Sequence, residues 1–359
     1  MKIKILFLIC LLFTGCYNYS ELSDFAIITG AGIDYKDKKY ELSLMVANTK
    51  NSSSSEKEGN SKTSIISGKG KTITEALLDI ESKSSKEIYL GHIGVLIINE
   101  NVPIYNVMDT FFRNPESLKK YYIILSKDAT SKDVLKTLSP LDNFPSQNII
   151  TNIKNSNKTI GYVPEVIASE FLYNVINNDV DAILPSITIE GKVSNSDNIK
   201  DLDKSSSDTY LKLSNIAIFK NYKLVGYATK SESKGINILN NNINNLVIKI
   251  KYKDCYVVTK LDNIKTKVTN KIKISSIGSI NETNCKIDLT DEKVIKNINK
   301  KANKEVHKLV NKAIKKSNET NSKFIKIKNI NDYKIYVDIN INTKGSLQNT
   351  IKEIINEKN

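Results

Sequence analysis

Residues 89–98 read Tyr-Leu-Gly-His-Ile-Gly-Val-Leu-Ile-Ile, ten positions in which His92 is the only strongly polar side chain. A strand with one wet face alternates apolar and polar residues, so an unbroken run of this kind reads as a strand covered on both sides. Such a strand needs helices packed above and below it. His92 is then expected as a core histidine with its ring nitrogens satisfied. The neighbouring sequence supplies the helices. Thr72-Ile73-Thr74-Glu75 has the form of a capping box, in which Thr72 accepts from the Glu75 amide and Glu75 reaches back to the Thr72 amide. Ala76, Leu77, Ile80 and Ser84 then line one helical face. Residues 104–112 predict a second helix, 121–125 a strand and 131–138 a third helix. Pro164 opens another helix, with Val166, Ile167, Glu170, Phe171 and Val175 at helical spacing until Asn177 and Asn178 end it. A strand over 182–190 closes this alternating part.

Ahead of it, residues 25–34 form a strand ending in a turn. Tyr40, Leu42, Leu44 and Val46 alternate with Glu41, Ser43 and Met45, which predicts a hairpin partner with one buried face. Residues 48–62 are a Ser-, Lys- and Glu-rich loop, and 191–208 are rich in Ser, Asn, Asp and Lys, which marks a linker and the main domain boundary. Beyond it come strands at 210–220, 223–228, 246–251, 256–261, 264–275 and 276–288, read as an antiparallel sheet. A long helix over 291–316 follows, with Val294, Ile298, Ala302, Val306, Leu309 and Ala313 in a stripe and lysines over the rest. The spacing predicts a helix laid across that sheet. The fold class is therefore α+β and multi-domain: an N-terminal mixed α/β region at 25–190, of one or two subdomains, then the 191–208 linker and a sheet-plus-long-helix domain at 209–359.

The first sixteen residues, MKIKILFLICLLFTGC, place Lys2 and Lys4 before a short apolar run. A membrane-spanning helix needs roughly 20 apolar residues, so the segment reads as a cleaved signal peptide, residues 1–15. Phe13-Thr14-Gly15-Cys16 ends it with small residues before a cysteine, a lipobox, with Phe13 in place of the usual leucine. Cleavage after Gly15 and a diacylglyceryl group, carrying palmitate-like chains, on Cys16 are expected, with 16–24 as a lipidated tether. Each buried acyl CH₂ is worth about 0.8 kcal/mol, and two chains make attachment durable. Apolar stretches after Cys16 are all interrupted by polar residues, so the rest is expected to be a water-soluble body.

The formal charge of +14 includes Lys2 and Lys4, and Arg113 is the only arginine. The lysine, asparagine and isoleucine bias looks like AT-rich coding rather than a basic binding face. Nucleic acid is not an expected partner, since its recognition leans on arginine forks. Lysines near the anchor can lean on anionic headgroups. Of the four cysteines, Cys255 and Cys285 remain in the body, compatible with one disulfide or with two buried thiols. With only His92 and His307, histidine-rich metal sites are ruled out and histidine base catalysis is limited. Gly70-Lys71-Thr72 lacks the earlier glycine of a phosphate loop, because Ile65 stands there, and Gly30-Ala31-Gly32 lacks the third glycine of a dinucleotide fingerprint, because Tyr35 does. Glu165 and Glu170 are paired acids on a helix, but no Trp accompanies them to stack a sugar. No catalytic residue, metal or cofactor is expected.

Several segments, taken in order, resemble the Ger(x)C family, the lipoprotein C subunits of nutrient germinant receptors in spore-forming bacteria. They are Cys16 with Tyr17, Glu21-Leu22, Gly32-Ile33-Asp34, Gly70 with Thr72 and Glu75-Ala76, Gly91-His92, Arg113-Asn114-Pro115-Glu116, Leu224-Val225-Gly226 and the helix from Asp291. Tyr17 and Asn18 replace the family's usual tryptophan and aspartate, Lys86 replaces an arginine, and residues 317–328 lack its glycine and tryptophan loop. The resemblance implies a three-domain α+β fold and a non-enzymatic subunit on the spore inner membrane beside integral membrane A- and B-type receptor subunits. Arg113, one arginine in a lysine-biased chain, is expected as a buried structural clamp or as a partner contact, and His92 shares that candidacy. The rival reading is a solute-binding lipoprotein of a transporter, which calls for two α/β lobes; a secreted hydrolase is a third class.

Overall fold

The computed structural model describes residues 21–48, 63–115, 119–139, 144–176, 180–193 and 209–343. The expected signal peptide, Cys16, residues 49–62 of the expected loop and residues 194–208 of the expected linker lie outside the described residues. The fold is α+β, with thirteen strands in two sheets and seven α-helices among the described residues.

The first sheet grows from a hairpin. β1 (Phe25–Lys36) and β2 (Lys39–Ala47) are joined at Asp37 and Lys38, both at positive φ, 51° and 58°, as a tight two-residue turn requires. β3 (Thr63–Gly70) adds antiparallel to β2. On the other side of β1 lie β5 (Val95–Asn99), β6 (Tyr122–Ser126) and β7 (Ile183–Glu190), all parallel to it, followed by β8 (Tyr210–Lys220), antiparallel to β7, and β9 (Lys223–Tyr227), antiparallel to β8. β8 and β9, read from sequence with the C-terminal strands, thus extend the first sheet.

Helices cover both faces. α1 (Ile73–Glu81), α2 (Ile104–Arg113) and α5 (Ala168–Ile176) pack on the side of Leu96, Ile98, Ile123 and Leu125. α3 (Ser131–Lys136) and α4 (Pro145–Thr159) pack on the side of Val95, Ile97 and Ile124. Val95 to Ile98 are all fully buried, as the apolar run required. The second helix layer also corrects the reading of β2: Ser43 and Met45 are as buried as Leu44, because the face expected to be wet is covered.

Residues 89–98 are nevertheless not one strand. β4 (Glu87–Tyr89) pairs Tyr89 with Ile27, and β5 pairs Val95 with Gly30. Both lie on the same flank of β1, where three steps must match six, so the excess residues leave the sheet in a 3₁₀ turn at Leu90–His92. The helix expected at Pro164 begins at Ala168, because Val166 and Ile167 give their backbone to Ile123 and Tyr122. Of the expected capping box at Thr72 half forms: Thr72 accepts from the Glu75 amide at 3.1 Å, but Glu75 takes the Lys71 amide at 2.7 Å. The complete box is at Thr229 and Glu232, opening α6 (Lys230–Leu239), a helix not anticipated from sequence.

The second sheet has the order β10 (Leu246–Tyr252), β11 (Cys255–Val268), β12 (Ile272–Thr283) and β13 (Ile335–Thr343). β11 runs through the break expected near residue 262 by a bulge there, and turns at 269–271 instead. The first three strands are antiparallel, whereas β13, missed in the sequence, lies parallel to β12 because α7 (Glu292–Thr320) carries the chain back across the sheet. Asp291 caps α7 by accepting from the Lys293 amide. Ile298, Ala302, Val306, Leu309 and Ala313 are buried, as the periodicity indicated, and Val310 joins them, whereas Val294 is only half-buried. Asn299 and Asn303 of α7 accept the amides of Ile341 and Ile339, satisfying donors of β13. α6 crosses α7 so closely that a Cβ at Gly235 would lie 2.0 Å from the Leu309 carbonyl oxygen. Ile183, Ile216 and Ile218 of the first sheet belong to the same core as α6, α7 and the second sheet, so the two parts share buried surface. No helix among the described residues is long and apolar enough to cross a membrane.

Candidate functional site

In parallel α/β sheets, ligands and partners meet the carboxyl ends of the strands. Here Gly32, Ile33 and Asp34 lie near the carboxyl end of β1, close to the first turn of α3. A Cβ at Gly32 would sit 2.7 Å from Ser131 Oγ and 3.0 Å from Leu135 Cδ1, so glycine permits the approach. Asp34 then accepts from the Ser131 amide at 2.8 Å, from Ser131 Oγ at 2.7 Å and from the Lys132 amide at 3.2 Å. Burial pushes the Asp34 carboxyl above the usual aspartate range against the pull of these hydrogen bonds, and the charge of Glu41 pushes the same way. Burial also works to raise Glu41, but Lys132 at 3.0 Å and Lys69 at 3.3 Å outweigh it and hold Glu41 below its usual range. Asp34, Tyr35, Lys39, Glu41, Lys69 and Lys132 line part of an open crevice of about 620 Å³. Its chemistry is that of ion pairs and hydrogen bonds. The Ser131 hydroxyl is committed to Asp34, and among the described residues no cluster of three or more His, Cys, Asp or Glu is arranged to hold a metal ion.

The residues singled out from sequence lie elsewhere. Arg113 is not a buried clamp. Ile104, Val107, Met108 and Phe111 turn the apolar stripe of α2 inward, and Arg113 falls outside it with its side chain 78% exposed. Its Nε bonds both carboxylate oxygens of Asp109, at 3.0 and 2.9 Å, one helical turn back. His92 is not a core histidine either: the 3₁₀ turn brings it to the surface, edge-on to Tyr89 with ring centroids 5.6 Å apart. Cys255 and Cys285 form a disulfide, with Cα atoms 5.2 Å apart.

Arg113 lies on the exposed side of α2 with Tyr105, a face that sequence reading did not assemble. Tyr105 of α2 and Tyr173 and Ile176 of α5 are 59%, 68% and 63% exposed. Tyr222, at the turn between β8 and β9, meets the Tyr105 ring edge-on at 5.5 Å. A signal was available: these positions fall on the outward side of their helices, where lysine and asparagine predominate elsewhere in the chain. Next to this face the chain leaving α7 straps the two sheets together. Asp181 accepts from the Lys323 amide at 2.6 Å and from Ser322 Oγ at 3.1 Å, and Asn240 exchanges hydrogen bonds with Phe324 and Lys326. Lys326 also pairs with Glu170 of α5 at 2.9 Å.

Two α+β modules share a buried core and are strapped together by the chain leaving α7. Residues 18–189 match the family description "Spore germination protein N-terminal domain", and residues 214–330 match "Spore germination B3/GerAC like, C-terminal". The chain belongs to this family of spore germination proteins, the Ger(x)C family. It is 24% identical over 309 residues to spore germination protein KC of Bacillus subtilis (strain 168), which covers 80% of this chain and 75% of that one. It is 23% identical over 188 residues to spore germination protein A3 of the same organism, half of this chain and 49% of that one. A crystal structure of the GerBC protein aligns with 91% of this chain and all of its own, at 14% identity and a TM-score of 0.43.

Proposed function

We propose that the protein is a non-enzymatic, lipid-anchored subunit of a spore nutrient germinant receptor, held on the outer face of the spore inner membrane. The observation that carries this reading is the ordered match of both germination-protein domains along one chain. The lipobox at Phe13-Thr14-Gly15-Cys16 supports the anchor, with a signal peptide at 1–15 and a tether at 16–24. Anchoring restricts the body to a thin layer beside integral membrane A- and B-type subunits. Its effective concentration there is high, so modest docking contacts suffice. Arg113 and His92, both exposed, are retained as candidate partner contacts. Against the transporter alternative, the second sheet is mainly antiparallel and covered by α6 and α7, whereas a solute-binding protein would repeat the first, α/β, lobe.

The test is Cys16→Ala in spores. The chain should leave the membrane fraction and nutrient-triggered germination should slow, while affinity capture of the unaltered protein should recover polytopic A- and B-type subunits. Capture of an ATPase and its permease instead would establish the transporter reading.

A further inference from the structure

The positive surplus is not spread along the chain. Residues 16–193 carry 19 lysines and arginines against 22 aspartates and glutamates, a net of −3, whereas residues 194–359 carry 32 against 17, a net of +15. A coding bias toward lysine acts on both halves alike and does not produce a change of sign between them. The basic half therefore calls for a physical explanation, contrary to the expectation from composition.

The structure gathers part of this charge on one face. On α7, Lys301, Lys304, Lys308, Lys312 and Lys315 recur at steps of three, four, four and three, which aligns them along one side of the helix. From Lys301 to Lys315 the stripe is about 21 Å long at 1.5 Å per residue. The turn between β10 and β11 brings Lys251 and Lys253 to the same place, where they share a shallow cleft of about 290 Å³ with Lys301, Lys304 and Lys308. The one carboxylate lining it, Glu305, already pairs with Lys308 at 3.2 Å. Lys304 and Lys312 have no carboxylate partner among the described residues and are exposed.

Three features select what such a face meets. Lysine is a compact, strongly hydrated point charge on a flexible stem, suited to a diffuse anionic layer, whereas the arginine fork that reads bases and phosphates is absent from this half, Arg113 lying in the other. A convex stripe beside a shallow cleft fits a broad surface and does not enclose a small ligand. The attraction acts within a Debye length of about 8 Å at physiological salt, so it needs a surface held nearby, and a chain anchored through Cys16 lies beside one.

We propose that the lysine face of α7 and the β10–β11 turn docks on an anionic lipid bilayer and sets the orientation of the body. The orienting role rests on the lipid-anchor reading, because the acyl chains provide retention and the lysines only turn the second module toward the headgroups. The docking itself does not depend on the anchor and is tested without it. The chain from residue 16 onward carrying Cys16→Ser, which keeps every described residue, is sedimented with phosphatidylcholine vesicles with and without phosphatidylglycerol. Binding to the phosphatidylglycerol vesicles should be at least about tenfold tighter, and should weaken steeply with added salt. Lys304→Glu/Lys308→Glu/Lys312→Glu should lose about tenfold or more, and the corresponding glutamine triple, which removes charge without reversing it, should lose part of that. Lys38→Glu/Lys71→Glu/Lys120→Glu, the same charge change around the first sheet, should bind as the parent does. Equal binding to both vesicles, an unchanged glutamate triple that is folded by circular dichroism, an equal loss in the first-sheet triple, or tighter binding to single-stranded RNA than to phosphatidylglycerol vesicles would each overturn the proposal. Failure of the Cys16→Ala experiment in spores with success here would remove the anchor and leave the docking face.

Discussion

Asp34 and Ser131 are 97 residues apart in the chain, yet the aspartate accepts both the amide of the serine, at 2.8 Å, and its hydroxyl, at 2.7 Å. The pair fastens the start of α3 to the end of β1, where Gly32 leaves room for the helix. Asp34→Asn turns one acceptor oxygen into a donor that faces at least one of the three donors held by the carboxylate. The expected cost is about 1–3 kcal/mol, the range for a buried polar group left unsatisfied. Ser131→Ala should cost less, since it leaves the backbone hydrogen bonds in place. Urea unfolding of both variants measures the difference, and equal stability of all three chains would show that the clasp is unimportant.

Neighbouring carboxylates in the crevice should respond to pH in opposite senses. Asp34 has its folded pKa raised by burial, so it holds a proton more tightly in the folded state; its contribution is full below about 3.9, the unfolded value, and is lost as pH rises through the folded value. Glu41 is held down by Lys132 and Lys69 against the effect of burial, so its contribution is present above about 4.3 and lost as pH falls. Asp34→Asn should therefore flatten a decline in stability on the alkaline side of about pH 4, and Glu41→Gln a decline on the acid side. Unfolding free energies across acid pH measure both, and slopes changing in the same direction would contradict the assignment.

The Cys255–Cys285 bridge closes a loop of 30 residues around the β11–β12 hairpin. Chain-entropy reasoning for a loop of this size gives a stabilisation of about 3–4 kcal/mol, and typical measured values are about 2–4. Cys255→Ser/Cys285→Ser should lower the urea midpoint accordingly, and reductant should lower that of the parent but not of the double variant. No effect of reductant on the parent would mean that the thiols are unbridged in solution.

Much of this fold was legible because burial writes a period into the sequence. The α7 stripe from Ile298 to Ala313, the β1–β2 hairpin and the doubly covered Val95–Ile98 run all follow from that rule. Where the rule failed, the cause was tertiary. α4 carries four asparagines and three isoleucines over fifteen residues, so its pattern is faint, yet Ile149 and Ile153, with Ile150 partly buried beside them, seat it on the sheet. α6 hides its packing in Gly235, a residue that reads as a helix breaker until α7 is placed against it. His92 became a surface residue because two short strands share one flank of β1, a register that no local window contains. The crevice was half legible: Asp34 stood in the family signature, but its partner Ser131 is distant in sequence. The tyrosine face and the sign change in charge were both in the sequence and were missed, because one needs the helices' orientation and the other a count by halves.

Gly235→Ala tests the α6–α7 crossing. A methyl at this position meets the Leu309 carbonyl oxygen at 2.0 Å and Ala313 Cβ at 2.9 Å, and backbone cannot swing away as a flexible side chain would. In an exposed helix the same change would help by about 0.5–1 kcal/mol. Here overpacking should reverse the sign and cost about 1–3 kcal/mol or more. Thermal or urea unfolding decides it, and a stabilised variant would show that the helices are further apart than described.

Arg113 separates fold from function. Its guanidinium is exposed and its Nε bond to Asp109 lies within one turn of α2, so the body should not depend on it. Arg113→Ala should leave the unfolding midpoint unchanged, as should Tyr105→Ala and Tyr173→Ala, which remove only exposed rings. Tyrosine and arginine are among the side chains that most often dominate binding energy when a partner covers them. If the α2–α5 face is where the membrane subunits dock, each of these variants should weaken their capture from spore membranes and slow nutrient-triggered germination, with the double variant Arg113→Ala/Tyr105→Ala weaker than either alone. Asp109→Ala serves as the control that distinguishes contact from positioning. If Arg113 touches the partner directly, loss of Asp109 should leave most of the capture intact. Should the alanine variants be captured and germinate as the parent does, the docking surface lies on another face, and His92 becomes the next residue to change.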